Sequence, residues 1–511
     1  MGTGSGMEWA SARLPWPVTA GMADPGLALG QVVERASWSG FDRWWSKVAG
    51  VGICARPIHL VGVDETGREH TVLARCKNRR ASVCPSCSDL YAADTWQLVT
   101  AGVIGGRHSM PATVAWHPAV FVTLTAPSFG PVHGVRTGAS GGARRCQRPV
   151  RVASTPSYRR CVHGKPLWCN VIHHNENSPR DVVGQPLCVD CYDYLGHVLF
   201  SWWAPELWRR FTIAVRRVLR SELRRRGEDP DKVAVSFVKV VELQARGIPH
   251  YHAVIRLDAT PTERDEAVAA PVTSITATEL AAAAQIAAGH VRLTVADADG
   301  GSRVLRFGEQ VDTQPLTSDP APSGASGPTG GDQGGAARRV ASYLPKYVTK
   351  SVGEFGLSLS RMSPEAVEVL DVCPHVRAIL TTLVSLAASG ARYAPMLFWL
   401  HTLGYRGHIT TKSRRFSVTL TALRARREAW RTDHAGYIPA GLLIGEPDDL
   451  PAVATGAADT DGPLQMGTEW SFARMGHVCA ADYYRAVSAA VRAREYRRLA
   501  RDAYRDDLAA A

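Results

Sequence analysis

Two histidines and a glutamate form the clearest candidate metal site in the sequence. His250 and His252 lie on one β-branched stretch, and Glu242 lies near the end of the preceding one. If residues 245–249 close a hairpin, strand alternation puts both histidines on one face, with Gln244 opposite His250 and Glu242 opposite His252. Two imidazoles and a carboxylate suit Mg²⁺ or Mn²⁺, which polarise a phosphoryl oxygen. The H-x-H pair alone could be polar surface, but the carboxylate on the paired strand favours a metal site.

Two tyrosines and two lysines at helical spacing form a candidate nucleophilic segment. The segment SYLPKYVTK places Tyr343 four residues before Tyr347, and Lys346 four residues before Lys350. Tyrosine is a poor nucleophile at its usual pKa of about 10, so it needs activation before it can form a phosphotyrosyl ester. Lysine can balance the phosphate charge. Pro345 favours a helix that begins near it, which leaves Tyr343 outside and makes Tyr347 the preferred nucleophile. A buried aromatic pair with exposed lysines is the alternative.

Eight of the eleven cysteines fall into two groups with spacing typical of zinc sites. The first group is Cys54, Cys76, Cys84 and Cys87, and the second is Cys161, Cys169, Cys188 and Cys191. Four thiolates normally hold structural zinc and stabilise loop-rich segments that lack a core. We expect all-cysteine ligation at both sites. Cys146, His163, His173 and His174 are competing ligands for the second site, and ordinary thiol pairs are the alternative for each C-x-x-C.

The elements that position these residues are predicted from periodicity. A strand at 119–126 alternates, with Val120, Val122 and Leu124 on one face and Phe121, Thr123 and Thr125 on the other. Pro205 is a typical first-turn residue for the amphipathic helix that follows it. The remaining predictions are a helix at 205–226, a hairpin at 232–244 and 250–258, a strand at 303–311, a flexible linker at 317–337, helices around a basic loop at 404–417, and a terminal helix at 480–509.

Two basic segments are candidate DNA-binding surfaces. The helix at 205–226 has an arginine face that includes Arg216 and Arg217. The segment 406–431 carries eight Lys or Arg residues against one acid, Glu428. Its members include Arg406, Lys412, Arg414 and Arg415, and Tyr405 and Phe416 flank them as candidates for stacking on unpaired bases. Solvated basic faces are the alternative for both segments.

Length and charge limit the class of protein. The chain has 511 residues, which predicts two or three domains. Its net charge of +12 favours a polyanionic partner. There is no run of about 18 apolar residues, so we expect no membrane span. The N-terminal residues lack the pattern of a secretory signal, so we expect a cytoplasmic protein with reduced, metal-holding thiols.

Three motifs, taken in order, resemble those of HUH endonucleases, the rolling-circle replication initiators. They are FVTLTAPSFGPVH at 121–133, E-x-Q-x-RGIPHYHAVIRLD at 242–258 and YLPKYVTK at 343–350. Flanking blocks extend the resemblance over about 54–430, and it is closest to initiators of actinobacterial plasmids and integrative conjugative elements.

This resemblance implies a metal-dependent nick at a replication origin. A covalent 5′-phosphotyrosine would form, and the free 3′-OH would prime synthesis. By resemblance, His250 and His252 are the metal ligands, with Glu242 the third, and Tyr347 is the nucleophile. Tyr343 corresponds to the residue that performs the closing transfer in two-tyrosine initiators. The chain has no P-loop motif, so we expect the helicase to come from the host. A host DNA polymerase is the other expected protein partner.

The implied fold is α+β, with an HUH core in which a central antiparallel sheet holds the metal hairpin and the tyrosine helix lies against it. The expected layout is an extension at 1–50, a zinc-binding region at 51–115, the endonuclease domain at 116–352 with a zinc-binding insertion at 140–195, a helical basic region at 353–432 outside the core, and a tail at 433–511. Two other functions remain open: a two-tyrosine transposase, and a non-enzymatic zinc-containing DNA-binding protein.

Overall fold

The architecture was taken from a computed structural model of the chain. It describes residues 33–34, 37–63, 67–138, 142–146, 159–173, 182–261, 268–296, 300–317, 335–348, 355, 357, 361–433 and 469–510. Most of the predicted linker at 317–337 and the segment 434–468 lie outside these residues.

The described residues form nine α-helices and twelve strands, besides short 3₁₀ helices. The helices are α1 (Phe41–Gly50), α2 (Pro85–Val103), α3 (Tyr194–Arg225), α4 (Ala277–His290), α5 (Gly335–Val348), α6 (Ala366–Val369), α7 (Pro374–Ala388), α8 (Leu420–Asp433) and α9 (Ala480–Ala510). The strands are β1 (Ile58–Val63), β2 (Glu69–Ala74), β3 (Ala119–Leu124), β4 (Arg136–Thr137), β5 (Ala143–Arg144), β6 (Val233–Leu243), β7 (Pro249–Ala259), β8 (Leu293–Ala296), β9 (Ser302–Leu305), β10 (Val311–Pro315), β11 (Thr410–Lys412) and β12 (Trp470–Met475). None of the described helices is both long enough and apolar enough to span a bilayer.

The main sheet has five antiparallel strands in the order β10-β3-β7-β6-β11. The predicted strand at 119–126 and the predicted hairpin are confirmed as β3 and as β6 with β7. The hairpin strands occupy the middle of the sheet, so both are supported on each edge by a neighbouring strand. The α+β class with an antiparallel sheet is therefore confirmed.

Helices cover both faces of this sheet. On one face, the apolar side chains of β3 and β7 pack against α3, α4 and α7; Val122, Tyr251 and Phe211 are fully buried there. On the other face, Val238 and Val254 pack against α2, α5 and α8, with Leu344 of α5 fully buried between them. Each of β3, β6 and β7 therefore presents one face to each helical layer, as the alternation predicted.

Two helices begin earlier than predicted, and each contains a proline. The helix predicted to open at Pro205 begins at Tyr194, where the Asp193 carboxylate accepts a hydrogen bond from the Gly196 N–H at 2.9 Å. The tyrosine helix begins at Gly335, so Tyr343 lies inside it and not before it. The strand predicted at 303–311 is two separate strands, β9 and β10.

The basic C-terminal region is part of the core, which corrects the expectation that it lies outside. Strand β11 extends the main sheet by pairing with β6, with Thr410 opposite Val240. Tyr405 and Phe416 are 2% and 0% exposed, so neither ring can stack on DNA bases in this conformation. These aromatic side chains anchor the basic loop to the sheet.

A second sheet joins the two ends of the chain. It has the order β12-β1-β2, and α9 packs on α2, where Arg494 and Arg497 form ion pairs with Asp89. The terminal helix predicted at 480–509 is confirmed as α9. The described residues of the cysteine-rich N-terminal region and residues 469–510 therefore form one structural unit.

Candidate active site and metal clusters

The hairpin brings His250, His252 and Glu242 to one face of the sheet, but in a different register from the one predicted. Glu242 is opposite His250, and Val240 is opposite His252. Glu242 nevertheless contacts His252 diagonally, with 3.3 Å between Oε2 and Nε2. The two imidazole rings lie 4.6 Å apart between centroids and are nearly perpendicular. Gln244 directly follows β6, and its Nε2 lies 3.4 Å from the Nδ1 of His250 on β7.

Strand β3 supplies two further side chains on this face that are not among the predicted site residues. Thr123 pairs with His252, and its Oγ1 lies 3.3 Å from the imidazole Nδ1. Phe121 stacks on the His252 ring at 5.9 Å. A hydrogen-bond partner on one imidazole nitrogen orients the ring and leaves the other nitrogen to a ligand. The alternation of β3 already indicated that Phe121 and Thr123 share a face.

Helix α5 places both tyrosines against the hairpin histidines. The Tyr347 ring stacks on His252 with 4.8 Å between centroids, and the Tyr343 ring meets the same imidazole edge-on at 5.4 Å. The two phenol rings are 4.7 Å apart. Tyr343 is 37% exposed and Tyr347 is partly buried, so the pair lies at the protein surface beside the histidines. Leu344 and Val348, on the buried side of α5, hold this orientation.

Burial controls the protonation of the site. Burial and the neighbouring His252 lower the pKa of His250 to about 4, so this imidazole is neutral near pH 7 and can donate a lone pair to a cation. Burial, Tyr343 and the negative charge of Glu242 raise the pKa of Tyr347 above its usual value. The phenol of Tyr347 is therefore protonated at neutral pH, and nucleophilic attack requires its deprotonation.

The two lysines of the tyrosine segment are not placed by the structure. Lys346 lies within α5, but its side chain is outside the described part, and Lys350 is outside it entirely. Their predicted role in balancing phosphate charge stays a prediction. A basic side chain that does contact this helix is Arg79, whose Nη1 donates to the Val348 carbonyl at 2.9 Å.

Three groups of four side chains in the described residues have metal-ligand atoms that all lie within 4.8 Å of one another. Cluster A is Cys54, Cys76, Cys84 and Cys87; cluster B is His133, Cys146, Cys169 and His173; cluster C is Cys161, His163, Cys188 and Cys191. The set of His250, His252 and Glu242 does not meet this criterion. All three clusters have donor sets that could hold zinc.

Cluster A is the predicted first group. Its Cys54 Sγ lies 3.8 Å from the Cys84 sulfur and 3.7 Å from the Cys87 sulfur. A tetrahedral zinc with bonds of about 2.3 Å separates its sulfurs by about 3.8 Å, so the spacing fits. Backbone N–H groups of Ala55 and Cys76 donate to two of the sulfurs, which is typical of support around bound thiolates.

The predicted second group is corrected by the structure. Cys169 belongs to cluster B, and His163 takes its place in cluster C beside Cys161, Cys188 and Cys191. Cys146, His163 and His173 are among the competing ligands expected from the sequence, whereas His133, the last residue of the first motif, is not. His174 lies outside the described residues.

The predicted DNA-binding residues are spread over both sides of the sheet. Arg216, which donates to the Thr212 carbonyl, and the exposed Arg217 lie on α3, on the sheet face opposite the tyrosines. Arg406 stacks on Trp202, with 4.5 Å from Cζ to the ring centroid. The remaining members, in the basic loop, are the half-buried Lys412 and Arg415 and the exposed Arg414. Lys412 pairs with Val238, on the tyrosine side of the sheet.

Comparison with known proteins identifies relatives over nearly the whole chain. A family model described as RepSA, "Replication initiator protein, pSAM2", matches residues 40–490. A replication initiator protein from Streptomyces ambofaciens is 35% identical over 516 residues, covering 95% of this chain and 98% of that protein. No solved structure matches the chain.

Proposed function

The chain belongs to the RepSA family of replication initiator proteins, and from this premise we propose that it starts replication as an HUH endonuclease. It would nick one DNA strand at the origin, form a 5′-phosphotyrosyl bond and leave a 3′-OH that primes rolling-circle synthesis. The observation that supports this proposal most directly is the packing of the Tyr343 and Tyr347 rings against His252. These side chains come from distant parts of the sequence, and a shared surface is what tyrosine-mediated transfer requires.

The residues that would hold a divalent cation are His250, His252 and Glu242. The chemistry of the donor set suits a divalent cation, because His250 is neutral near pH 7 and Glu242 faces His252 at 3.3 Å, although the three ligand atoms do not all lie within 4.8 Å of one another in this structure. A bound Mg²⁺ or Mn²⁺ would neutralise charge on the scissile phosphate. Thr123 orients the His252 ring through Nδ1, and Phe121 limits its rotation by stacking on it.

Tyr347 is the proposed nucleophile for the nick. Its Oη would attack the phosphorus and lose its proton, while the bond from phosphorus to the 3′ oxygen breaks and that oxygen gains a proton. The energy of the broken phosphodiester is kept in the tyrosyl ester, so the strand can be rejoined later. Tyr343 shares the His252 surface, and its ring lies 4.7 Å from that of Tyr347, which supports a second transfer by this residue when replication ends.

DNA is the proposed partner, and single-stranded DNA is the form that must reach the tyrosines. The net charge of +12 favours association with a polyanion. Lys412 ends β11, the strand that extends the sheet, and the exposed Arg414 follows it, so this loop can contact the DNA strand that enters the site. Host helicase and polymerase stay predicted partners.

A nicking assay tests this function. The substrate is a supercoiled plasmid that carries the DNA flanking the protein's own gene, incubated with Mg²⁺ or Mn²⁺. We expect wild-type protein to produce nicked circles and a covalent protein–DNA adduct, and EDTA to abolish both. Tyr347→Phe should bind the plasmid insert but form neither product.

Tyr343→Phe is the matched control for the nick, since its ring occupies the same surface. It should still nick, but it should fail to release a closed product. Adduct formation by Tyr347→Phe at the wild-type rate would reassign the nucleophile. Specific binding without cleavage under any metal would favour a non-enzymatic DNA-binding protein. Joining of element ends in place of origin nicking would favour a two-tyrosine transposase, which the paired tyrosines also support.

A further inference from the structure

The ligands of clusters B and C alternate along the chain in pairs. His133 and Cys146 belong to B, Cys161 and His163 to C, Cys169 and His173 to B, and Cys188 and Cys191 to C. We propose that these eight side chains hold two structural Zn²⁺ ions in one interleaved module, which gives the protein three zinc ions in total with cluster A. The interleaving means that each metal closes a loop that contains ligands of the other.

The geometry of cluster B fits zinc with two sulfurs and two nitrogens. The His133 Nδ1 and His173 Nε2 atoms are 3.2 Å apart, and the Cys169 sulfur is 3.4 Å from the His173 nitrogen. The Cys146 sulfur is 4.0 Å from the His133 nitrogen. In a tetrahedral zinc site these edges are about 3.3 Å between nitrogens and about 3.6 Å between nitrogen and sulfur. The Gly134 N–H also donates to the Cys146 sulfur at 3.2 Å.

Cluster C fits zinc with three sulfurs and one nitrogen. The His163 Nδ1 lies 3.2 Å from the Cys191 sulfur and 3.7 Å from the Cys188 sulfur. Cys161 supplies the third sulfur. The spacing of Cys161, Cys169, Cys188 and Cys191 predicted one four-cysteine site. Cys169 lies in the loop between Cys161 and Cys188 but belongs to cluster B.

The segment from 131 to 191 has no apolar core of its own in its described residues. None of the residues described between 131 and 191 belongs to a hydrophobic cluster. The backbone pairing found there is the two-residue pair of β4 and β5 and two isolated bridges, Val132 with Pro186 and Arg160 with Pro166. Cys146 and Cys169 are buried although the segment is small and polar. Metal binding is the usual source of folding free energy in such a segment.

The module also buttresses the hairpin turn beside the candidate active site, a consequence that rests on the proposed function. The Gly184 N–H donates to the His133 carbonyl at 2.7 Å, so the loop at Gly184 is tied to a ligand of cluster B. Gly184 has φ +87°, and a Cβ there would lie 2.3 Å from the Ala245 backbone. This close approach places the module against the turn that joins Glu242 to His250.

Zinc counting on the full-length protein, without DNA, tests the module. Native mass spectrometry of wild type should show three zinc ions per chain. Cys146→Ser should lose the zinc of cluster B, and His163→Ala should lose the zinc of cluster C. In either variant, a chelator should release the zinc of the other cluster of the module faster than it does from wild type. Cys373→Ser, a thiol outside the three clusters, should keep all three ions.

X-ray absorption at the zinc edge is measured on the wild-type protein. It uses no variant, so misfolding of a variant cannot affect the result. Clusters A, B and C supply four, two and three sulfurs and zero, two and one nitrogens. Three filled sites therefore average three sulfurs and one nitrogen per zinc, whereas two all-cysteine sites average four sulfurs. Two zinc ions per wild-type chain, or an all-sulfur environment, would overturn the proposal. Because neither measurement uses strand cleavage, a failed nicking assay would leave this result unaffected.

Discussion

Arg79 links cluster A to the helix that carries the candidate nucleophile. It lies three residues after Cys76, and its Nη1 donates to the Val348 carbonyl at the last residue of α5. Carbonyls in the last turn of a helix have no intrahelical partner, and a cation there also interacts favourably with the helix dipole. Burial lowers the pKa of Arg79 only to about 10, so it is charged at neutral pH. Arg79→Met removes the donor but keeps the aliphatic bulk.

The magnitude follows from the type of bond. A hydrogen bond from a charged group contributes about 1.5–3 kcal/mol, which corresponds to a factor of roughly 10 to 150 in an equilibrium constant. Tyr347 lies in the last turn of α5. In Arg79→Met, the locally unfolded state of this turn should become more populated by up to this factor. We expect faster hydrogen exchange in that turn and a slower single-turnover nick, with unchanged affinity for DNA.

The assay combines hydrogen-exchange mass spectrometry of the α5 peptide with the rate of covalent adduct formation. Arg79→Lys should recover part of both, because a lysine retains the charge and one donor direction. Arg80→Met is the control: this neighbour is also partly buried, and no hydrogen bond from its side chain to α5 is found in the described residues. Unchanged exchange and nicking in Arg79→Met, or equal losses in Arg80→Met, would refute a specific capping role.

Two further predictions concern stability. Burial lowers the pKa of Lys239 from 10.5 to about 7. Between pH 7 and 10.5, its amine is therefore neutral in the native state and charged in the unfolded state. Unfolding free energy should therefore rise with pH by up to about 1.4 kcal/mol per unit. Lys239→Met should lose this slope in urea titrations at pH 7.5 and 9.5, and equal slopes would contradict the assignment. Phe416→Ala should cost about 3–5 kcal/mol in the same assay; reduced binding of single-stranded DNA at unchanged stability would instead restore its stacking role.

The hairpin explains why the candidate site was predictable although its register was not. Alternation determines which side chains share a face, and a shift of two residues preserves the face. The loop is residues 244–248, where Gly247 has φ +79° and the Gln244 N–H donates to the Ile248 carbonyl. This turn pairs Glu242 with His250, and a glutamate is long enough to reach His252 diagonally. The donor set therefore survives an error in the pairing.

Proline caused the two errors in helix starts for one physical reason. Local rules place proline in a first turn, because its ring removes an N–H and crowds the preceding carbonyls. Pro205 and Pro345 nevertheless lie inside α3 and α5. Residues on the N-terminal side of each proline are deeply buried, including Phe200 before Pro205 and Ala341 before Pro345. Their burial in the core stabilises the longer helices, and this information is not local to the sequence.

The spacing of cysteines along the chain predicted only part of the ligand sets of clusters B and C. A C-x-x-C pair such as Cys188 and Cys191 is local and was assigned to one cluster correctly. The partner pair is set by how the loops fold back, so Cys169 could be assigned only from the structure. His133 had no sequence signal of its own, because a single histidine after a strand is common. Interleaving makes this ambiguity unavoidable: outside the C-x-x-C pair, the nearest cysteine along the chain belongs to the other cluster, as for Cys161 and Cys169. Chain proximity is therefore a poor guide to ligand sets wherever two metals replace a hydrophobic core.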